Sequence, residues 1–316
     1  MSSFGLPSGA WPVLPTAFHH DLTLDLSAMD AVVDFYLEQR VAGIFTCSMS
    51  SEVFQLLPEE RRKLTERVVA RVDGRVPVIA AAIGSGDVAS WRNAVTECLG
   101  LGVDAAVLIT SLLADPDDSD WVLQSRLEAI LEAAPEGDLG LYECPVPYKR
   151  LLSLDQLRWA AGTGRFVYFK DTSHAVPTMT ERIQALAGSR ISFYNAEIQS
   201  LVTTQRAGGQ GFSGLAANIY PGLVGWLCEQ WDSGDPRVAT VQRLLSVAEH
   251  GLGFNYPTSA KFLIAERFGV PIRPLSRMGH KAFTPHQTDP LLDLADQLAA
   301  DGLIELRPTT AGSVHV

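Results

Sequence analysis

The stretch Phe166-Val167-Tyr168-Phe169-Lys170-Asp171-Thr172-Ser173 sets an unbroken apolar run directly against a lysine and an aspartate. An apolar run without polar alternation is expected of a strand buried on both faces, as in a parallel sheet. Seven similar runs accompany it: Val13–Phe18, Gly43–Thr46, Val78–Ala82, Ala106–Ile109, Leu139–Tyr142, Ile191–Tyr194 and Gly211–Ser213. Amphipathic helical patterns lie between them. Ser27 is placed to cap a helix with Met29, Val32, Val33, Tyr36 and Leu37 on one face. Pro58 suits a first helical turn, with Glu59 and Glu60 at the positive end of the dipole. Val88, Trp91, Val95 and Cys98 mark another helix, stopped at Gly100 or Gly102. Ser119, Ser153 and Pro177 open three more, with Gly162 read as the stop of the second. A strand and a helix recurring about every 20–35 residues is the pattern of βα units, and eight such units predict a closed (β/α)8 TIM barrel. A doubly wound open sheet is the alternative, but no G-x-G-x-x-G follows the first strand. Beyond residue 230 helical patterns continue without strands. The expected division is therefore a barrel over 1–230 and a C-terminal helical extension over 231–316 packed on it.

Composition narrows the function. The 316 residues are 47% hydrophobic and 19% charged, with a net charge of −11. That is too apolar for a disordered chain. The acidic balance, with no Lys/Arg stripe, argues against nucleic acid as a partner. The 4 cysteines, Cys47, Cys98, Cys144 and Cys228, are scattered, so no zinc or redox motif is expected. His19 and His20 are adjacent and read as surface loop; no metal and no cofactor is expected. Met1–Pro7 shows no basic or apolar leader pattern. Ala207–Cys228 lacks charge, but its glycines, Pro221, Gln210 and Asn218 make a poor membrane helix. A strand, a turn and a buried helix fit it better, so no membrane partner is expected.

In a (β/α)8 barrel the reactive side chains stand at the C-terminal strand ends. Strand alternation turns Tyr168 and Lys170 inward, and Val167 and Phe169 toward the helices. A lysine at the top of an apolar strand has two readings. It is an amine whose pKa falls with desolvation, ready to form an imine, or it pairs with Asp171. Tyr142, one strand earlier, faces the same mouth. It is either a proton relay or a core tyrosine with a satisfied hydroxyl.

Taken together, these elements resemble the dihydrodipicolinate synthase / N-acetylneuraminate lyase superfamily of class I, Schiff-base-forming aldolases. Tyr142-x-x-Pro145 and Lys170-Asp171-Thr172-Ser173 carry the likeness, with their mutual spacing. Glu52 with Leu56 through Arg61, Gly74 through Ala80, Gly208 through Ser213 with Ala217-Asn218, and Pro257 through Lys261 add to it. The resemblance implies an imine between Lys170 and pyruvate or another 2-oxo acid, with Tyr142 moving protons and positioning the carboxylate. It places the carboxylate-binding loop at Ser48-Met49-Ser50-Ser51-Glu52, with Ser50 in the place of the family's second threonine. It adds Ser213 and Thr172 as substrate-side residues; Glu143 and His174 are this chain's own additions, placed to hydrogen-bond a hydroxylated or amine-bearing substrate.

The chain departs from the family's pattern in three places. Met49 stands where the family's relay threonine would be. Thr110-Ser111-Leu112-Leu113 has no relay tyrosine. Pro147 occupies the place of an arginine that receives the aldehyde's carboxylate, while Lys149 and Arg150 read as solvated loop residues. These departures point away from the lysine-biosynthesis enzyme, toward an aldolase or dehydratase with another electrophile. The alternatives are a catalytically silent paralogue that binds a 2-oxo or sugar acid, and a metal-dependent barrel enzyme. The resemblance further implies a cytoplasmic homo-oligomer, a dimer or tetramer.

Overall fold

The structure, a computed structural model, describes residues 5–134, 136–279 and 282–307. The first four positions of the leader reading and the end of the extension from residue 308 lie outside the described residues. Eight parallel strands form the centre: β1 Gly9–Ala10, β2 Ile44–Thr46, β3 Val78–Ala81, β4 Ala105–Ile109, β5 Leu139–Tyr142, β6 Phe166–Asp171, β7 Ser192–Asn195 and β8 Gly211–Phe212. Each pairs with its sequence neighbour from β2 to β8, and β8 returns to β1. The ring closes where Val13, just past β1, bridges Phe45 of β2. Leu14 N–H donates to the Phe45 carbonyl at 2.9 Å, and Phe45 N–H to that of Pro12 at 3.0 Å. The fold is thus the expected (β/α)8 barrel.

The interior is a packed aromatic plug. Tyr168 stacks on Tyr194 with ring centroids 4.8 Å apart, and Trp11 tilts against Tyr194 at 5.3 Å. Phe45 meets Tyr142 and Tyr168 edge-on. Glycines make the room. A side chain at Gly140 would come within 3.1 Å of Tyr168 Cβ, and one at Gly43 within 2.3 Å of the Trp11 ring. Around this plug lie the helices Leu26–Glu38, Pro58–Val72, Val88–Gly100, Asp120–Ala133, Leu154–Thr163, Val176–Leu186 and Leu201–Arg206. The helices Pro221–Gln230, Arg237–Gly251, Thr258–Phe268 and Pro285–Ala300 follow β8.

Several local expectations are corrected. The first strand lies at Gly9–Ala10, before the apolar run Val13–Phe18, because Pro12 and Pro15 lack the N–H that continuous pairing needs. Asp25, not Ser27, caps the first helix: its Oδ1 accepts from Ala28 N–H at 3.0 Å, and Ser27 Oγ donates to the same oxygen. The helix that Ser153 caps stops at Gly164 (φ +67°), not at Gly162. Val167 packs with the barrel interior rather than with the helices. The cause is a register shift opposite Leu139 and Gly140, which pair with Phe166 and Tyr168 and leave Val167 as the extra residue. Thr110–Leu113, directly after β4, is a short helical turn. Within Ala207–Cys228 the chain forms β8, a turn and the start of a buried helix, and no helix among the described residues is long and apolar enough to cross a membrane.

Candidate active site

Tyr142 and Lys170 end adjacent strands and are direct partners in the β5–β6 register. Lys170 Nζ lies 4.6 Å from the centroid of the Tyr142 ring and 5.9 Å from that of Phe45. Only 5% of the residue is exposed. Burial in this aromatic pocket lowers the amine to about 8, against the opposing pull of Cys144 and Glu249. Burial also raises the Tyr142 phenol well above its ordinary value, with Cys144 adding to the effect. Tyr142 is therefore a neutral phenol near neutrality, able to donate or accept one proton at Oη. That oxygen faces the Met49 thioether at 3.9 Å.

The loop Ser48–Glu52 follows β2 as a tight turn with Cys47 and Glu52 in the left-handed region (φ +48° and +59°). The turn is bolted down. Ser51 Oγ donates to the Leu14 carbonyl at 2.6 Å, and Thr16 Oγ1 to that of Ser51 at 2.7 Å. Glu52 accepts from Lys261 Nζ at 2.7 Å, Ser276 Oγ at 2.9 Å and Arg277 N–H at 2.7 Å. The Lys261–Glu52 pair is wholly buried. Across the mouth, Ser213 lies just past β8. Its buried hydroxyl has no partner among the described residues.

The remaining expected residues divide. His174 sits half-exposed at the rim in a left-handed conformation (φ +56°), with Nδ1 3.9 Å from Glu197. Partial burial, reinforced by Lys149, lowers its pKa. Glu143 is not free to meet a substrate. It accepts from Leu152 N–H at 2.6 Å and Thr172 N–H at 3.3 Å, and pairs with Arg182 at 3.0 Å. Strand alternation explains this: Tyr142 faces inward, so its neighbour Glu143 faces the helices. Thr172 is spent on the same clasp, its Oγ1 donating to the Glu143 carbonyl at 2.6 Å. Arg182 also holds Asp171. Lys149 and Arg150 are not simply solvated. Lys149 Nζ donates to the Thr172 carbonyl at 2.7 Å, and the Arg150 guanidinium to the carbonyls of Asp115, Asp118 and Ser119.

Sequence reasoning missed two residues brought in by the extension. Glu249, on helix Arg237–Gly251, accepts from Ala216 N–H at 2.9 Å and Ile198 N–H at 3.3 Å. Burial raises its carboxyl to about 7, with Lys170 pulling the other way. Tyr256 donates its hydroxyl to Ser50 Oγ at 2.7 Å. Its signal in the sequence is its place directly before the Pro257–Lys261 element.

An eight-stranded barrel with a desolvated lysine and a tyrosine at the mouth has the architecture of a (β/α)8-barrel enzyme. The chain belongs to the Dihydrodipicolinate synthetase family, whose model matches residues 6–289. It is 26% identical over 284 residues to the 4-hydroxy-tetrahydrodipicolinate synthase of Marinobacter nauticus, covering 86% of this chain and 95% of that one. It is 29% identical over 234 residues to an Escherichia coli K12 protein named "Probable 2-dehydro-3-deoxy-D-pentonate aldolase", covering 72% and 75%. Among solved structures, a monomeric dihydrodipicolinate synthase variant superposes with a TM-score of 0.83 at 21% identity, covering 96% of this chain and all of that one. A prophage protein of the same family from E. coli K12, solved with pyruvate, gives 0.80 at 21% identity, covering 94% and 99%. The chain is a lyase of this family.

Proposed function

We propose that this lyase forms a Schiff base between Lys170 and pyruvate or another 2-oxo acid, and that it is not the lysine-biosynthesis enzyme. The observation that carries the proposal is the Lys170 amine, sequestered over the Tyr142 ring at the top of β6. A neutral amine attacks the C2 carbonyl carbon. The carbonyl oxygen takes up protons and leaves as water while the C=N bond forms. Tyr142 Oη is the nearby group able to carry those protons. Ser50 and the backbone N–H groups of its loop would receive the carboxylate. The protonated imine then draws electrons from the adjacent carbon, and either carbon–carbon cleavage or water elimination follows.

The second half of the proposal rests on the cations near the mouth. Pro147 offers no charge, and Lys149 and Arg150 are both committed to backbone carbonyls. Nothing equivalent to a free guanidinium awaits a second carboxylate among these three. A hydroxylated electrophile or leaving group suits Glu249 and His174 better. A cytoplasmic homo-oligomer, dimer or tetramer, completes the proposal, with light scattering as its check.

Borohydride reduction in the presence of pyruvate, read by intact mass, tests the imine. The expected result is one adduct on the wild type and none on Lys170→Ala. No adduct across a panel of 2-oxo acids would refute it. The Met49 thioether facing Tyr142 Oη favours a second reading, a silent binder. Steady product formation from any 2-oxo acid would eliminate that one.

A further inference from the structure

The hydrogen bonds behind Ser50 run in one direction only. Val13 N–H is a donor and nothing else, and it donates to Asn218 Oδ1 at 2.8 Å. The Asn218 amide is thereby oriented, so its Nδ2 group faces Tyr256 and donates to Tyr256 Oη. Tyr256 has a single proton, and with Asn218 donating to its oxygen that proton goes to Ser50 Oγ at 2.7 Å. Ser50 Oγ is therefore an acceptor on its buried side. Its own proton has no acceptor among the described residues, and the residue is only 7% exposed. The neighbouring Met49 touches Tyr142, which lies under Lys170. The turn that carries Ser50 thus borders the lysine's pocket.

We infer that Asn218 and Tyr256 are positioning residues that fix Ser50 as a hydrogen-bond donor to the carboxylate of the bound 2-oxo acid. The inference rests on the proposed 2-oxo acid chemistry. A hydroxyl free to rotate can offer its proton or its lone pairs to a ligand. The bond accepted from Tyr256 occupies one lone pair, turns the proton away from the buried side and polarises the O–H, so the chain Val13–Asn218–Tyr256–Ser50 favours a ligand that accepts, an anion above all. Tyr256 comes from the turn after helix Arg237–Gly251, so the extension supplies this selectivity to the barrel.

The test compares pyruvate with pyruvamide, which keeps the reactive ketone and lacks the charge. In Tyr256→Phe, the pyruvate concentration that half-saturates borohydride trapping should rise about 5- to 10-fold, in line with one weakened hydrogen bond to a charged group. The half-saturating concentration of pyruvamide should rise clearly less, because its neutral amide oxygen accepts a weaker bond than the carboxylate does. Ser50→Ala should show the same selective loss, and the double variant should be no worse than Ser50→Ala alone, because Tyr256 acts through Ser50. Equal losses for pyruvate and pyruvamide, or additive losses in the double variant, would overturn the inference. Oxamate separates this from the Schiff-base reading, since it presents the same carboxylate and forms no imine. If the wild type traps no 2-oxo acid, the Schiff-base reading fails. Thermal stabilisation by oxamate that is reduced in both variants would still uphold the donor assignment. Stabilisation equal in all three proteins, or absent from the wild type, would end it.

Discussion

An ammonium group buried among aromatic rings loses its hydration, and the attraction of the ring faces offsets only part of that loss, so its proton is held less firmly. Lys170 is in that position, and burial brings its amine to about 8 from an ordinary value near 10.5. The direction fixes the pH behaviour. Below the folded-state pKa the amine is protonated and cannot attack a carbonyl; above it the nucleophile is free. The rate of imine trapping at saturating pyruvate should therefore rise through an inflection near pH 8 and level off above it. An exposed lysine would keep rising toward about pH 10. A profile with no inflection below pH 9.5 would show that the pocket does not desolvate the amine. Glu249, raised to about 7, titrates in the same window and is a carboxyl of the extension that interacts with Lys170. A second, lower inflection that disappears in Glu249→Gln would belong to it.

Arg182 shows how whole elements hold the site in place. It leaves helix Val176–Leu186 to pair with Glu143 at the end of β5 and Asp171 at the end of β6, and it donates to the Leu152 carbonyl. One guanidinium thus ties the two strand ends that carry Tyr142 and Lys170. Burial still lifts Glu143 to about 7 over the pull of Arg182. Arg182→Met would leave both carboxylates buried without a cation, at a cost of about 3–5 kcal/mol. The loss should appear in urea midpoints at pH 8 and shrink at pH 5.5, where protonation of Glu143 removes part of the uncompensated charge. A pH-independent loss would mean that packing, not charge, sets it. The strands were legible in the sequence because a parallel barrel buries both faces and writes continuous apolar runs. Gly9–Ala10 was not, since two prolines confine its pairing to so short a stretch. The reactive pair was legible by strand parity, and the same parity, applied to Glu143, would have turned it away from the site. Tyr256 and Glu249 were hidden for a different reason. They follow the barrel in sequence, and only tertiary packing returns them to its mouth.

At the scale of the molecule, the mouth is built jointly by barrel and extension. The buried Lys261–Glu52 pair fastens the Ser48–Glu52 turn to helix Thr258–Phe268. Charge belongs to this scale as well. With 36 acidic and 25 basic residues, the chain carries a net charge of −11. In the proposed reaction a 2-oxo acid anion would approach against that field, and its capture would fall to short-range groups: the Ser50 hydroxyl, backbone N–H groups and the imine nitrogen as it forms. The field reaches about 30 Å at ~10 mM salt and about 8 Å at ~150 mM. Added salt should therefore help the substrate arrive. The second-order rate constant for trapping pyruvate should rise about two- to threefold between ~10 and ~200 mM sodium chloride, while that for neutral pyruvamide stays flat. A fall with salt for pyruvate alone would mean that a local positive potential at the mouth outweighs the whole. The steering would then come from Lys170 itself, still protonated as the anion approaches, and the same experiment at pH 9.5, above its pKa, should abolish that fall.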